Sequence, residues 1–447
     1  MVIKKASAPD EALSAKFIIP TVAEQTISCL IGLVISSVIS RISSSALAST
    51  GQADNINSVV IAIFAFLTVS ATVFISHEVG TGDLKKAKED STKFMGLAII
   101  FSVAASVLIV ALSSPILRLL MPTAEDVLFG ESLRYFRVLM IGLPFNVMQV
   151  LMLSVFRSYS RGNDVLVCVI ITIAVQFGVS VLCIKALGLA EIGAGIGFVT
   201  SKAVGTGYLF FRLVAEKLVS AEDLKTMFRF KKSMLRAIVR IGAPIAFESA
   251  FVQLGYLIAG TFAVRLSTFD ATVYQMLNTI NRFMATIPQG TVNVVAAASV
   301  GHLLGAGKEK EARKYGLIID AVSVVWATGL ALIVMAFPEF FCGFFSEDPE
   351  AIKATASLFW IMLVMNIAGT EINAMDPQLR AGGDVRTVMI VTLIAVWGIR
   401  LPLSWLFTFR MNMGVFGLML ANTVALYFRM IAGLIRHSGK KWIKKEL

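Results

Sequence analysis

Apolar runs of about 20 residues recur along the whole chain, and they constrain the fold more than any other feature. An α-helix of that length crosses the ~30 Å hydrocarbon layer of a bilayer. The composition agrees, because 57% of the residues are hydrophobic and 15% are charged. Soluble domains contain about 45–50% and about 25% respectively. The pattern therefore predicts an all-α integral membrane protein.

The charged breaks between apolar runs predict about twelve membrane-spanning helices. Lys and Arg are concentrated in alternate connections and near both termini, and the longest basic connection is 214–237. The positive-inside rule places these connections and both termini in the cytoplasm, so we expect a multi-pass protein of the plasma (inner) membrane. The expected spans are 16–40, 54–77, 93–117, 134–156, 165–185, 191–213, 238–263, 276–302, 316–337, 354–376, 387–408 and 414–435.

A half-chain repeat divides these spans into two sets of six. Residues 74–89 contain a His, a G-x-G turn and a basic segment, and residues 299–314 repeat that order. Pro20 and Pro244 lie 224 residues apart, and each has a Glu four residues further on. The predicted domains are an N-terminal six-helix bundle at 1–213, a cytoplasmic linker at 214–237, and a C-terminal six-helix bundle with a basic cytoplasmic tail at 238–447.

The two halves of the repeat have the same orientation in the membrane, and this favours a transport function. Six is an even number of spans, so both bundles enter the membrane the same way round, related by a pseudo-twofold axis along the membrane normal. Parallel repeats of this kind place a substrate path between the two halves. The basic segments that follow the G-x-G turns are expected to form short helices along the membrane surface.

Further motifs, in a fixed order over residues 14–436, complete a family pattern. Together they resemble the MATE (multidrug and toxic compound extrusion) transporters. The resemblance implies a V-shaped pair of six-helix bundles that exports amphipathic organic cations in exchange for H⁺ or Na⁺. The motifs are the segments 75–87 and 300–312, Pro20 and Pro244, Arg161-Gly162-Asn163-Asp164, Arg380-Ala381-Gly382-Gly383-Asp384, Ala46-Leu47-Ala48, and Gly414-Val415-Phe416-Gly417.

One position departs from the family pattern. Family members commonly carry an Asp about halfway along the first helix, and here Ile35 occupies that place. The usual carboxylate for proton coupling through the first bundle is therefore missing. We expect the coupling chemistry to depend on carboxylates elsewhere.

Ionisable side chains inside the expected spans are the leading candidates for function, because a charge at mid-helix costs about 2.5–3.5 kcal/mol on insertion scales. Glu248 and Glu371 are expected at similar depth in the second bundle. Two such carboxylates can bind a cation or share a proton. The resemblance adds that carboxylates on the seventh and tenth helices form a Na⁺ site in some members, which makes Glu248 and Glu371 the Na⁺ candidates. The alternative is that each Glu accepts hydrogen bonds and supports local packing.

Glu24 is the first-half counterpart of Glu248, and Lys202 is expected at comparable depth on the sixth span. A structural salt bridge between Glu24 and Lys202 and a direct part in transport both fit the sequence. His77 and His302 form a further matched pair at span ends, where a His most often hydrogen-bonds the last carbonyl groups of its helix.

Asn281, Arg282 and Arg400 fall toward the outer half of the second bundle and complete the set of binding candidates. Guanidinium groups suit anionic ligands, which argues against a purely cationic substrate. The alternative is that these arginines pair with Glu or reach the interface by snorkelling.

These features predict a secondary antiporter that exports small amphipathic, cationic compounds by alternating access. No enzyme activity is expected, since the G-x-G turns lack Walker spacing. No cofactor is expected besides H⁺ or Na⁺ as coupling ion. The expected partners are a small-molecule substrate and the lipid bilayer, with a monomeric protein and no nucleic acid, because topology accounts for the net charge of +11. Two alternatives stay open: a flippase for lipid-linked anionic sugars or related amphiphiles, and a transport-inactive membrane protein.

Overall fold

The computed structural model describes residues 18–27, 44–120, 126–230, 232–343, 348–439 and 442–443. Within those ranges every regular element is a helix. The position of Ile35 lies outside them. The helices are α1 (18–27), α2 (Ser44–Thr81), α3 (Leu84–Ala111), α4 (Ser113–Leu120), α5 (Asp126–Ile141), α6 (Leu143–Ser158), α7 (Gly162–Leu187), α8 (Ala190–Ala215), α9 (Ala221–Lys225), α10 (Lys232–Val264), α11 (Thr268–Gly305), α12 (Glu309–Ala336), α13 (Pro338–Gly343), α14 (Pro349–Ser357), α15 (Phe359–Ala381), α16 (Val385–Arg410) and α17 (Gly414–Ser438).

The described helices include eight that are long and apolar enough to cross a membrane, or ten if each of two bent pairs counts as one span. The bent pairs are α5 with α6 and α14 with α15, and each bends by 49°. Most of the first expected span, 16–40, lies outside the described residues. The prediction of an all-α, multi-pass membrane protein is confirmed.

The chain divides into a first unit, Met1–Gly242, and a second unit, Ala243–Leu447. Helices follow one another in the same order in both. Each unit has a helix with a Pro four residues before a Glu, then a long helix that ends at a G-x-G turn. A spanning helix, a bent pair and two further helices follow. The linker expected at 214–237 contains α9, and α10 already begins at Lys232.

Both G-x-G stretches form the same tight turn. Gly82 has φ +81° and Gly307 has φ +71°, in the left-handed region that glycine adopts most readily. The basic segments expected as separate surface helices are instead the first turns of α3 and α12, so that expectation was wrong. The buried Ala87 and Ala312 let each segment pack against the bundle as part of a spanning helix, while its basic side chains reach the interface.

Helix α12 shows the burial pattern of a membrane protein. Asp320 and Ser323 are buried at 5% and 0% exposure, whereas Val322 and Val325 are 55% and 72% exposed. Polar groups on a spanning helix face the protein interior because lipid cannot hydrogen-bond them. The apolar outer face accounts for the mean hydropathy of +0.79.

Small residues allow α7 and α8 to pack closely. A Cβ added to Gly197 on α8 would overlap Ser180 Oγ, and it would lie 2.8 Å from Ser180 N and 2.9 Å from Gln176 O on α7. Gly207, also on α8, has no atom within 4 Å of an added Cβ. Close backbone approach through small residues is a common mode of helix association in membranes.

We expect Gly197→Ala to lower the free energy of unfolding by about 1–3 kcal/mol, because two backbone atoms of α7 would have to move. Gly207→Ala is the matched control, and it should leave stability unchanged or raise it by up to about 1 kcal/mol through helix propensity. The measurement is thermal unfolding of the purified protein in detergent. Equal unfolding temperatures for the two variants would contradict the close packing.

Candidate functional site

A cluster of two acidic and two basic side chains lies buried in the second unit. Arg380 on α15 donates from Nη2 to both carboxylate oxygens of Glu248 on α10, at 3.0 and 2.9 Å. Arg429 on α17 donates from Nη2 to Glu248 Oε1 at 3.2 Å and also to Asp376 Oδ2. Thr392 on α16 donates to Glu248 Oε1 at 3.0 Å. One carboxylate therefore joins four helices; we call Glu248, Asp376, Arg380 and Arg429 the charge network.

The local sequence explains how these groups meet. Asp376 and Arg380 are four residues apart on α15, so their side chains share one helix face. Glu248 follows Pro244 within α10, where the proline cannot donate a backbone hydrogen bond. Glu248 lies about 15 Å along the helix segment Ile238–Ala263, which is long and apolar enough to cross a membrane.

Burial and charge balance decide what the charge network can do. Glu248 is 4% exposed and Asp376 is 8% exposed, and their formal charges cancel those of the two arginines. A cation that binds Glu248 or Asp376 must compete with a guanidinium for the same oxygens. The arrangement can therefore convert cation binding into the loss of a contact between helices.

Among the described residues of the first unit, one ion pair is the counterpart of this pairing. Arg157 on α6 donates from Nη2 to Glu24 Oε1 on α1, which repeats the Glu248–Arg380 pair at the matching place. The salt bridge between Glu24 and Lys202, one of the two alternatives that the sequence left open, does not form. Lys202 instead places its Nζ 5.2 Å from the ring centroid of Phe198. The planar guanidinium of Arg157 matches carboxylate geometry better than an ammonium group does.

The first unit lacks a counterpart of Arg429. The residue at the repeat offset of 224 is Gly205, and a Cβ added there would overlap Gln149 Nε2 and lie 2.5 Å from Thr172 Oγ1. Gln149 Nε2 donates to Thr172 Oγ1 at 2.7 Å, so neutral groups fill this position. The second unit alone has the larger charge network within the described residues.

Glu371 has partners of its own. Ser323 on α12 donates from Oγ to Glu371 Oε2 at 3.3 Å, and Asp320 on the same helix is the neighbouring acid. Glu371 and Asp376 are five residues apart on α15, about 140° around the helix, so they face different neighbours. The acid that shares a partner with Glu248 is Asp376, which replaces Glu371 in the expected pair. Na⁺ binding at these carboxylates stays a prediction.

The three remaining candidate binding residues lie in different surroundings. Asn366 donates from Nδ2 to Asn281 Oδ1 at 2.7 Å. Arg400 is 4% exposed, and its guanidinium lies 4.1 Å from the ring centroid of Tyr256. Arg282, on α11, is exposed. None of these three contributes to the charge network.

Sequence reasoning missed three members of this site. Arg429 lies inside the expected span 414–435 and met the criterion of an ionisable residue within a span, but it was not singled out. Asp376 is the last residue of the expected span 354–376, and Arg380 was assigned to a connection. Their spacing of four residues was the signal that could have placed both on one buried face.

A second ion pair is repeated at one end of each unit. Arg212 Nε on α8 donates to Asp164 Oδ1 at 2.8 Å, and Arg436 Nε on α17 donates to Asp384 Oδ2 at 2.5 Å. Each Asp stands at the start of the penultimate helix of its unit, and each Arg lies near the end of the last helix. These pairs fix the two final helices of each unit to one another.

Comparison with known proteins is decisive for the family. The MatE family model matches the chain twice, over residues 20–182 and 244–406. The chain belongs to the MATE family. The two matches begin 224 residues apart, as Pro20 and Pro244 do, so the repeat seen in the motifs is a repeat of the MATE family unit.

Two relatives of this MATE transporter match over at least nine tenths of their own length. The uncharacterized transporter YisQ of Bacillus subtilis is 26% identical over 429 residues, which cover 92% of this chain and 90% of YisQ. The probable multidrug resistance protein NorM of Thermotoga maritima is 23% identical, over 97% and 93% of the two chains. A MOP superfamily transporter from Pyrococcus furiosus, whose reversed binding-pocket polarity suggests a different function, has a TM-score of 0.86 at 16% identity, over 97% of this chain and 99% of that one. This last likeness shows a shared fold.

The charge network predicts a non-additive pair of variants in this MATE transporter. Arg429→Gln alone leaves the buried carboxylate of Asp376 without its partner and should cost about 3–5 kcal/mol, whereas Asp376→Asn alone leaves Arg429 its contact with Glu248 and should cost less. The double variant should lose less unfolding free energy than the two single variants lose together. The reason is that the remaining Glu248–Arg380 pair resembles the complete Glu24–Arg157 pair of the first unit. Thermal unfolding in detergent measures all three.

The control for these variants is Glu311→Gln, which breaks the exposed Lys308–Glu311 pair of 3.1 Å and should cost about 0–1 kcal/mol. Strict additivity of Asp376→Asn and Arg429→Gln would show that the two side chains are not coupled.

The carboxyl of Glu216, which comes directly after α8, makes the stability of the folded protein depend on pH. The hydrogen bond from Arg161 Nη2, at 2.5 Å, holds the pKa of the Glu216 carboxyl below its ordinary value of 4.5. A lowered pKa stabilises the folded protein above pH 4.5, and that contribution is lost as the pH falls through the folded-state pKa. Unfolding temperatures measured across this acid range should therefore fall more steeply for the wild type than for Glu216→Gln. Parallel curves would contradict this assignment.

Proposed function

We propose that this MATE family transporter is a secondary antiporter that exports small amphipathic cations, chemically unchanged, in exchange for H⁺ or Na⁺. Its site of ion coupling is the charge network of the second unit. The proposal is supported by membership of a transporter family and by buried carboxylates whose charged partners are guanidinium groups that a bound cation would compete with. The names of relatives such as NorM include multidrug resistance.

The single observation that carries this proposal is the sharing of Glu248 between two arginines and Thr392. Without a bound cation, these contacts hold α10 against α15, α16 and α17. When H⁺ or Na⁺ binds Glu248, the carboxylate no longer attracts both guanidinium groups, and the contacts between these helices weaken. Cation binding thereby favours a second arrangement of the unit.

The free energy of breaking a buried ion pair is similar in size to the free energy that shifts a transporter between two conformations. Breaking one buried ion pair costs about 3–5 kcal/mol. Reversing a two-state population from 1:99 to 99:1 needs about 5.5 kcal/mol of differential affinity. A coupling ion that replaces the contacts of Glu248 with Arg380 and Arg429 can supply an effect of that order. An amphipathic cation can compete for the same carboxylates, which gives exchange rather than co-transport.

Orientation and assembly belong to the same proposal. The concentration of Lys and Arg in alternate connections supports a plasma (inner) membrane protein with both termini in the cytoplasm. The two units of one chain each contain a complete repeat of the family unit, which supports a functional monomer.

Transport by purified protein in liposomes tests this function. We expect a fluorescent lipophilic cation to move against an imposed Na⁺ or H⁺ gradient, and to stop when an ionophore removes that gradient. Glu248→Gln and Asp376→Asn should abolish coupling, whereas Glu311→Gln, an exposed control, should transport as the wild type does. Absence of gradient-driven movement across a panel of cations, anions and zwitterions would contradict the proposal.

A second candidate function is a flippase for lipid-linked anionic sugars or related amphiphiles. It is favoured by Arg400, which is buried against Tyr256 and whose Nε has no hydrogen-bond partner among the described residues. The Pyrococcus furiosus transporter of the same fold has a binding pocket of reversed polarity. Translocation of a fluorescent polyprenyl-linked anion that falls in Arg400→Gln, with no movement of cations, would select this function.

A further inference from the structure

A second buried polar cluster lies between α12 and α15, with members apart from the charge network. Gln378 on α15 is fully buried and donates from Nε2 to Asp320 Oδ1 on α12 at 2.6 Å. Its amide nitrogen also faces the backbone oxygens of Ala374 at 3.1 Å and Gly316 at 3.5 Å. Three acceptors around one nitrogen fix the amide orientation and direct the side-chain oxygen of Gln378 away from Asp320.

Three polar atoms of this cluster are buried and have no hydrogen-bond partner within the described ranges: Asp320 Oδ2, Gln378 Oε1 and His437 Nε2. A Cβ added to Gly316 would overlap Gln378 Oε1 and lie 3.4 Å from His437 Nε2. These two atoms therefore converge beside Gly316, within reach of one bridging water. Leaving such groups unpaired costs about 1–3 kcal/mol each, so the cluster is built to hold something that donates hydrogen bonds.

The charged groups around Asp320 indicate that its carboxyl holds a proton. Asp164, Asp376 and Asp384 each pair with an arginine, but Asp320 has no ion pair in the described part of the chain. The charged group that acts on Asp320 is Glu371, another acid. A carboxylate without a cation is expensive inside a membrane, whereas a protonated carboxyl needs only ordinary hydrogen bonds.

His437 connects this cluster to the end of the second unit. It lies one residue before the end of α17, and the charged group that acts on it is Arg313 near the start of α12. The ring of Trp442 stacks on His437 at 5.0 Å between centroids, and Trp442 Nε1 donates to His437 O at 3.0 Å. Trp442 is fully buried, so it covers the imidazole at this end of the unit.

We propose that the interface of α12 and α15 is a proton path, in which Asp320 is a protonation site and His437 exchanges its proton with the end of the unit near Arg313. The Asp320 carboxyl gives its proton to a first water, which gives one of its own protons to the water beside Gly316, and that second water gives one of its own to His437 Nε2. Asp320 becomes a carboxylate, His437 becomes an imidazolium, and both waters are regenerated. Beside this site, the hydroxyl of Ser323 donates to the backbone oxygen of Asp320 at 2.8 Å and also faces Glu371 Oε2 at 3.3 Å.

This path deepens the proposed antiport, on which its use for coupling rests, but its protons can be observed without transport. Infrared spectroscopy of the protein with isotope-labelled aspartate detects protonated Asp side chains. We expect a protonated carboxyl band at neutral pH that disappears in Asp320→Asn and persists in Asp164→Asn, whose carboxylate is paired with Arg212. A band that persists unchanged in Asp320→Asn would overturn the assignment.

Exchange into D₂O tests the path itself. The Asp320 band should shift quickly in the wild type and severalfold more slowly in His437→Gln. Gly316→Ala removes no titratable group but fills the point where Gln378 and His437 converge, so it should also slow the shift. His77→Gln, a histidine of the first unit, is the control and should leave the rate unchanged. Equal rates in all variants would exclude His437 as the exit.

The two proposals fail in different ways. If wild-type liposomes show no gradient-driven transport but the infrared results hold, the antiport is wrong and the protonation site stands. If H⁺-driven transport keeps its pH dependence in Asp320→Asn and His437→Gln, and the exchange rates are equal, the proton path is wrong and the antiport stands.

Discussion

The pairing of a buried carboxylate with a guanidinium is the interaction on which the rest of this structure depends. A lone charge inside a membrane helix is expensive, so Glu24 and Glu248 can be retained only with a basic partner on another helix. Arg157 and Arg380 are those partners, at matching places in the two units. Each pair holds the first helix of its unit against the second half of the bent pair.

The two units share this attachment but differ beyond it. In the second unit Arg429 brings a second acid, Asp376, to the same carboxylate. In the first unit the space beside Gly205 is filled by the neutral amide of Gln149. A single pair can serve as a fixed attachment, whereas two acids that share one guanidinium can exchange partners. The duplication therefore provides one unit with a single buried ion pair and one unit in which two buried acids share a guanidinium.

The sequence predicted the membrane fold well, because span length and apolar composition are local properties of each segment. Partners were harder to predict, because Glu24 and Arg157 are 133 residues apart and their meeting depends on how each helix is rotated. The same reason explains why Lys202, at a suitable depth, faces Phe198 instead of Glu24. Arg380 lies between two expected spans and was therefore assigned to a connection. A long side chain can still extend from such a position back into the membrane.

The separation between partners also bears on how the protein is made. Glu248 is synthesised 132 residues before Arg380 and 181 residues before Arg429. When α10 reaches the bilayer, neither guanidinium exists, so its carboxylate must enter protonated or stay beside the aqueous lumen of the insertion machinery. Biogenesis of the second unit therefore passes through a stage in which the Glu248 carboxyl has neither of its arginine partners.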